Sequence, residues 1–382
     1  MARTPLAWKS FTHNKVKFLS SVGGVAFAVI LMFVEMGFLN GLFDAHTRVV
    51  DLLDGDLLMV NVDKLAVIPK LPFAKRHLQQ ARGVPGVASV AEVRVDEMRS
   101  MFKDLEHRRD YPMFVYGIDP DNPPFRLPGL KAEAQKLKVL DAVLLDEQSK
   151  DFYGDVHPGH DVEIAERRLH VVGNFALGPD FRADGNAMVS TRTFLDMYPG
   201  PRGAEDELVE FGLIRLAPGA DRDAVKRAIV GRVSPAVSVL APEEFSTRVR
   251  YFWGQSKPVG FVFGLGLAVG FLIGLTICYQ ILYVDICDHL PQYATLKAIG
   301  YDNAYLLSIV LKQAMYLAVI GFAAGLGVSR AVYAAVEYFT KVPMFFTVLR
   351  VGGVGVLTLV MCVVSGFIAI GKALDADPAE VF

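Results

Sequence analysis

The sequence lacks the short motifs that identify common catalytic sites. It has no G-x-x-x-x-G-K-[ST] phosphate loop, no H-E-x-x-H metal motif and no G-x-S-x-G nucleophile motif. A chain that hydrolyses ATP, cleaves peptide bonds or transfers acyl groups usually carries one of them. The sequence therefore predicts a protein without catalysis or a cofactor of its own.

Cysteine is also scarce. The only three, Cys278, Cys287 and Cys362, lie in or beside long apolar segments, so the polar region 44–257 must fold without disulfides. The nearest pattern to a metal site is His157-Pro-Gly-His160, and Pro and Gly there favour a solvated turn over a rigid pair of ligands. No metal site is expected.

Neither sign of charge dominates the chain. There are 39 Lys and Arg residues against 41 Asp and Glu residues, and no basic patch with interleaved aromatics suggests nucleic acid as a partner. A local run of charges from Asp104 to Asp110 predicts an exposed turn.

Long apolar segments are what the sequence has in abundance. A helix needs roughly 20 apolar residues to cross the hydrocarbon core of a membrane. Four segments reach that length: 18–34, which continues apolar beyond Glu35 to residue 43, then 258–284, 304–328 and 351–371. The sequence predicts an integral membrane protein with one span, a large polar domain, and then three spans.

Positive residues before the first span set the expected orientation. Arg3, Lys9, Lys15 and Lys17 should stay in the cytoplasm. Counting the crossings then places 44–257 outside, 285–303 inside, 329–350 outside as a short loop, and the tail 372–382 inside.

The outer domain has the alternation of short strands and helices that is typical of an α/β fold. Predicted strands are 56–62, 87–95, 113–118, 139–145, 159–164, 169–173, 188–190 and 208–216, and predicted helices are 73–82, 191–198 and 221–230. The Pro- and Gly-rich stretch 119–129 predicts a seam, and therefore two lobes with about 120–200 inserted into the first. The segments Phe38–Asp44 and Glu243–Trp253 are expected to form a stalk.

Two charged residues interrupt the spans. Glu35 follows Phe18 by about one bilayer thickness, which favours an interfacial acid, although a proton relay or a pairing between subunits remains open. Lys312 is two turns into its span, from which its side chain can reach back to the surface.

Small residues recur at a spacing that lets helices approach closely. Gly260 to Gly274 contains three G-x-x-x-G spacings, and Gly321 with Gly325 adds another. The contact they make could lie within one subunit or across a dimer.

The connection between the second and third spans reads as a short helix with its own start and end. Asp288 or His289 suits its N-cap, Pro291 an early helical position, and Gly300 the position after its C-cap. Tyr293 and Leu296 offer apolar side chains to a partner. A docking element and a simple reversal of the chain are both compatible with this pattern.

The segment Asp288-His-Leu-Pro-Gln-Tyr-Ala-Thr-Leu-Lys-Ala-Ile-Gly300 resembles the coupling helix of FtsX/MacB-type ABC transporter permeases, most closely the DevC-like subfamily. Pro5-Leu6-Ala7-Trp8 with its basic amphipathic continuation and the tail Asp377-Pro378-Ala379-Glu380 are similar to that subfamily as well. The resemblance implies four membrane helices, a MacB-like periplasmic core and residues 1–17 as a cytoplasmic amphipathic helix. It also implies the bacterial inner membrane, with both termini in the cytoplasm.

The same resemblance implies the partners. An ABC ATPase subunit would bind the ATP, and a second permease copy would complete a homodimer in the lipid membrane. A membrane-fusion adaptor and an outer-membrane channel would assemble with this complex. The residues that would dock into the ATPase are Leu290, Tyr293, Leu296, Lys297, Trp8 and Phe11. Many family members have an acid at the position of Gln292, so a salt bridge to the ATPase is not expected there.

The implied function is mechanotransmission, in which ATP-driven motion reaches the outer domain and exports a glycolipid or another amphiphile. The alternative within the family is a permease that activates a periplasmic hydrolase or extracts lipoproteins. A third class is a sensor or enzyme whose outer domain binds a ligand. The sequence identifies no substrate-binding residue.

Overall fold

The computed structural model describes residues 15–68, 70–104, 109–179, 183–199, 207–256, 258–340 and 344–374. The chain divides into two compact units. The helical unit comprises the described residues within 1–41, 258–339 and 344–382, and the sheet unit those within 42–257 and 340–343.

Ten α-helices form in the described residues. In chain order they are α1 Lys15–Asp51, α2 Arg76–Arg82, α3 Leu130–Gln135, α4 Thr191–Met197, α5 Arg222–Val230, α6 Pro242–Tyr251, α7 Pro258–Asp288, α8 Leu290–Ala298, α9 Asn303–Thr340 and α10 Val348–Leu374. Two 3-10 helices, Lys136–Lys138 and Asp151–Tyr153, and a π-helix, Phe252–Ser256, accompany them.

Four of these described helices, α1, α7, α9 and α10, are long and apolar enough to cross a membrane. They coincide with the four predicted apolar segments, but their ends differ. The largest difference is that most of the predicted outer loop 329–350 is helical, because α9 continues to Thr340 and α10 begins at Val348. The segment after Ser329 is rich in alanine and has no Pro or Gly before Pro343, so nothing in it ends the helix. Ser329 and Tyr333 are accordingly buried in the helical unit.

Glycines on α7 pack against α1 of the same chain. A Cβ atom on Gly270 would lie 3.6 Å from the Cβ of Leu31, and one on Gly274 would lie 2.7 Å from the Cβ of Ala28. The residue numbers rise on one helix as they fall on the other, so α1 and α7 are antiparallel. Phe38 and Phe263 continue the contact with stacked rings 6.0 Å apart.

Glycines on α9 pack against another side of α1. A Cβ atom on Gly321 would lie 2.6 Å from Val25 Cγ1, and one on Gly325 would lie 2.6 Å from Val29 Cγ1. Here the residue numbers rise together, so α1 and α9 are parallel. The spacing left open whether the glycines pack within one subunit or across a dimer. In the structure these glycines pack within the subunit.

The sheet unit contains thirteen described strands: β1 Leu57–Asn61, β2 Phe73–Ala74, β3 Val87–Asp96, β4 Met101–Asp104, β5 Arg109–Pro112, β6 Phe114–Ile118, β7 Ala142–Asp146, β8 Asp161–Ile164, β9 Arg167–Phe175, β10 Asn186–Ser190, β11 Leu208–Val209, β12 Phe211–Leu216 and β13 Val237–Leu240. Eleven form one sheet in the order β13-β1-β12-β3-β6-β10-β7-β9-β8-β4-β5, and β2 pairs with β11. The pairs β6/β10 and β7/β9 are parallel, and the others are antiparallel.

Helices cover both faces of this sheet. One face carries a continuous apolar cluster that includes Phe114, Leu144 and Leu213 and is covered by α3, α6 and the end of α1. The opposite face carries two separate clusters, one under α2 and α5 and one under α4. Between them, β3 presents Glu92, Arg94 and Asp96, which are all buried. Because side chains alternate along a strand, Ala91, Val93 and Val95 face the continuous cluster instead.

The predicted two lobes are not confirmed. The strands of residues 120–200 pair within the same sheet, and β10 lies directly beside β6. The continuous apolar cluster explains why the predicted seam does not divide the unit. The predicted turn 104–110 is also shorter than expected, because β4 and β5 pair through Asp104 and Arg109. Residues 105–108 lie outside the described part.

Candidate functional site

The connection between α7 and α9 is a folded helix, as the sequence predicts. His289 occupies the N-cap of α8, and Pro291 lies in its first turn. At the other end Gly300 has a φ of 102°, a left-handed conformation that glycine adopts without steric cost. The Gly300 N–H donates to Lys297 O at 2.9 Å and the Tyr301 N–H donates to Leu296 O at 3.1 Å, which together form a Schellman motif.

One side of α8 is buried in the chain's own helical unit. Tyr293 and Ala294 are 5% and 1% exposed, and Leu290 and Leu296 pack partly against the same apolar cluster. The expectation that Tyr293 is presented to a partner is therefore wrong. Its ring faces inward because it lies on the helix face that meets α7 and α9. Burial raises the pKa of Tyr293, so its hydroxyl stays protonated.

The other side of α8 is exposed and has little charge. It presents Pro291, Gln292, Thr295, Ala298 and Ile299. Ile299 is 70% exposed and is the largest apolar side chain on this surface. Lys297 is half-buried at the edge of this surface. We call these five exposed residues the outer face of α8.

A polar cluster holds the start of α8, and the sequence pattern did not reveal it. Asp285, near the end of α7, is buried, accepts a hydrogen bond from Gln313 Nε2 at 3.0 Å and lies 3.5 Å from Lys17 Nζ. Lys17 Nζ also donates to Asp288 at 2.6 Å. His289 Nδ1 lies 2.8 Å from the Asp285 carbonyl oxygen. The cluster therefore joins α1, α7, α8 and α9.

A signal for this cluster was present in the sequence. Asp285, Asp288 and His289 follow each other at i, i+3 and i+4, which places them on neighbouring faces of one helix end. Lys17 opens the first span at the same predicted membrane surface. The pairing itself depends on which helices are neighbours, and the spacing does not specify that.

Two further predicted docking residues, Trp8 and Phe11, lie outside the described residues. The same is true of the N-terminal phrase Pro5 to Trp8 and of the tail Asp377 to Glu380 that support the resemblance. Gln292 is exposed, so an amide and not a carboxylate stands on the outer face of α8.

The charged residues within the spans have simple surroundings. Glu35 is half-buried, and its carboxyl group occupies the space left by the missing side chain of Gly266 on α7. Lys312 is exposed on α9, whereas its neighbour Gln313 is buried and joins the polar cluster.

The pattern His157-Pro-Gly-His160 lies in the sheet unit. His157 Nδ1 lies 2.8 Å from Asp155 in an exposed turn.

Comparison with known families gives two matches. The profile of the MacB-like periplasmic core domain matches residues 18–232, which is more than half of the chain, and that of the FtsX-like permease C-terminal region matches 264–378. A comparison with curated proteins finds no match.

Solved structures similar to the chain include the periplasmic region of MacB from Actinobacillus actinomycetemcomitans. It has 10% sequence identity and a TM-score of 0.37, and the match covers 52% of this chain and 94% of that one. The extracellular domain of the noncanonic ABC-type transporter YknZ from Gram-positive bacteria has 15% identity and a TM-score of 0.33, over 49% of this chain and 98% of that one.

Proposed function

Because the chain belongs to the family of MacB/FtsX-type ABC transporter permeases, we propose that it is a membrane subunit that relays the motion of a separate ATPase to its periplasmic domain. The ATPase would bind and hydrolyse the ATP, and this chain would contribute no catalytic residue. We place it in the bacterial inner membrane as a homodimer, with both termini in the cytoplasm.

The observation that carries the proposal is the folded state of α8. A slack loop could not transmit force, whereas α8 is capped at its end by a Schellman motif and tied at its start to three other helices. Its inward residues, Tyr293 and Ala294, anchor it in the helical unit. The outer face of α8 remains for an ATPase, with Leu290, Leu296 and Lys297 at its edges. Tyr293 supports this surface from behind.

Contacts within the sheet unit support a route for the motion. The end of α1 and helix α6 are joined by Arg250 to Asp44 at 3.3 Å and by Ser246 Oγ donating to Asp51 Oδ1 at 2.7 Å. The rings of His46 and Trp253 lie 4.0 Å apart between the same two segments. We propose that these paired segments act as the stalk through which movement enters the periplasmic domain.

The test is co-purification of the full chain with its ATPase. Ile299→Asp places a charge on the outer face of α8 and is expected to abolish both co-purification and stimulated ATP hydrolysis, because a buried unpaired charge costs several kcal/mol at an interface. Val230→Asp is the matched control, since Val230 is an apolar side chain that is 53% exposed in the sheet unit. A complex that survives Ile299→Asp as well as it survives Val230→Asp would refute the docking surface.

The larger assembly is a further part of the proposal. The sequence resemblance to the DevC-like subfamily supports a tripartite exporter of glycolipid or another amphiphile, with a membrane-fusion adaptor and an outer-membrane channel. An adaptor gene beside an ATPase gene in the genome would support this assembly. A neighbouring gene for a wall hydrolase or a lipoprotein carrier would favour the alternative within the family.

A further inference from the structure

A groove of about 470 Å³ lies in the sheet unit, at the end of strands β6 and β10. One wall comes from α2, the floor from β3, and the other wall from the 3-10 helix Lys136–Lys138 and the start of α4. Leu137 of the second wall belongs to the continuous apolar cluster on one face of the sheet and Leu78 of α2 to a cluster on the opposite face, so the groove draws its walls from both sides.

The groove lies at the ends of two parallel strands. Ile118 of β6 is paired in register with Ser190 of β10, and the next residues, Asp119 and Thr191, both line the groove. The carboxyl ends of neighbouring parallel strands are where open α/β sheets usually bind their ligands.

Positive charge exceeds negative charge in the lining. Its four cations are Lys75, Arg82, Lys138 and Arg192, and its two carboxylates are Glu92 and Asp119, which leaves an excess of two positive charges, 4 − 2.

The two lysines are already paired, Lys75 with Glu92 at 2.7 Å and Lys138 with Asp121 at 2.5 Å. Within the described part of the chain, Arg82 and Arg192 make no ion pair. Both arginines are exposed, one on each wall of the groove.

The residue before Arg192 carries a buried hydroxyl. Thr191 Oγ1 has almost no solvent contact and no hydrogen-bond partner among the described residues, although buried polar atoms normally have one. The groove also has apolar lining from Leu78, Val90 and Leu140, and Leu140 is 47% exposed. Cationic and apolar side chains thus line the same cavity.

We propose that this groove binds an anionic amphiphile, with its phosphate or carboxylate between Arg82 and Arg192 and its apolar part against Leu140. Arginine binds such groups through two parallel N–H bonds, which makes it more selective for them than lysine. This inference deepens the proposed function and rests on the proposed export of an amphiphile, but it does not depend on ATPase docking.

The test titrates the purified full chain, in an uncharged maltoside detergent and without ATPase, with hexyl phosphate by isothermal calorimetry. Arg82→Gln and Arg192→Gln are each expected to weaken binding about tenfold or more, because each removes a charge-assisted hydrogen bond. Arg76→Gln is the matched control, since Arg76 is an exposed arginine on α2 outside the groove, and its affinity should equal that of the unmodified chain.

Inorganic phosphate tests the apolar part. It should bind more weakly than hexyl phosphate, and Leu140→Ser should weaken hexyl phosphate alone. Equal affinities for the two probes would refute the proposed contact with the apolar part of the ligand. Binding that is unchanged in both Arg82→Gln and Arg192→Gln would refute the proposed location of the anion. The docking of the ATPase is tested separately, by co-purification with Ile299→Asp. The docking proposal and the groove proposal can therefore fail independently.

Discussion

The buried ion pair between Lys64 and Glu210 should make the sheet unit sensitive to the loss of either partner. Lys64 is fully buried, its Nζ lies 3.1 Å from Glu210 Oε2 and 4.8 Å from the centre of the Phe211 ring, and Glu210 is 3% exposed. The Leu71 N–H donates to the same carboxylate oxygen at 3.2 Å. Glu210→Gln keeps an acceptor for that N–H but removes the negative charge that is hydrogen-bonded to the buried ammonium group, while the Glu97 carboxylate still acts on it.

The expected loss follows from that burial. Removing one partner of a buried pair costs about 3–5 kcal/mol, whereas an exposed pair contributes about 0–1 kcal/mol. With a denaturant slope of roughly 2–3 kcal/mol/M, the midpoint of urea unfolding should fall by roughly 1–2.5 M. The matched control is Glu163→Gln, which breaks a more exposed pair with Lys103 of similar length, 2.8 Å.

Trp253 provides the measurement in the full chain. The chain has two tryptophans, Trp8 and Trp253, so Trp8→Phe leaves one fluorophore, which packs against the large apolar cluster of the sheet unit. A double-mutant cycle with Lys64→Met isolates the coupling, and the double variant should lose less stability than the two single changes added together. If Glu210→Gln shifts the midpoint no more than Glu163→Gln does, the buried ammonium group of Lys64 does not depend on Glu210.

The same pair gives a dependence on pH. Burial lowers the pKa of Lys64 below its ordinary value of 10.5, and the nearby Glu210 carboxylate offsets this only in part. Between the lowered pKa and 10.5 the unfolded chain binds more protons than the folded chain, so the free energy of unfolding rises with pH in that window. Lys64→Met should remove this rise, and an unchanged slope in the variant would contradict the assignment.

Two further predictions concern the helical unit. Gly325→Leu should lower the temperature at which the detergent-solubilised chain unfolds, because the new side chain would overlap a valine of α1, whereas Gly352→Leu should not, since a Cβ atom there meets nothing within 4 Å. Equal effects would show that the glycine contact is not tight. Lys17→Met should destabilise the chain by about 1–3 kcal/mol, because it leaves a buried carboxylate without its cation, and exposed Lys15→Met serves as its control.

The sequence predicted a secondary-structure element well where a single local preference determines that element. Strand β3 was recognisable from residues 87–95, and the end of α8 from Gly300, because a glycine that follows an apolar helix commonly takes a left-handed conformation. Both outcomes depend on local backbone and burial preferences. Helix α9 extended past Ser329 because a membrane helix need not end where the apolar stretch ends.

Features that depend on neighbours could not be predicted in the same way. The inward orientation of Tyr293 depends on which side of α8 meets the other helices, and a nine-residue helix with apolar residues on several faces does not specify it. The pairing of Lys17 with Asp285 joins residues far apart in the chain. The groove is lined by elements that are distant in the chain, so Arg82 and Arg192 have no common sequence signature.

The glycine contacts of α1 restrict how it can move along α9. Gly321 and Gly325 receive Val25 and Val29, and both pairs are four residues apart, a rise of about 6 Å. A displacement of half that distance would take both valines away from the glycines that accommodate them, whereas a full step would return one valine to a glycine. The valines of α1 are therefore interlocked with the glycine positions of α9, so a small axial push on either helix moves both together.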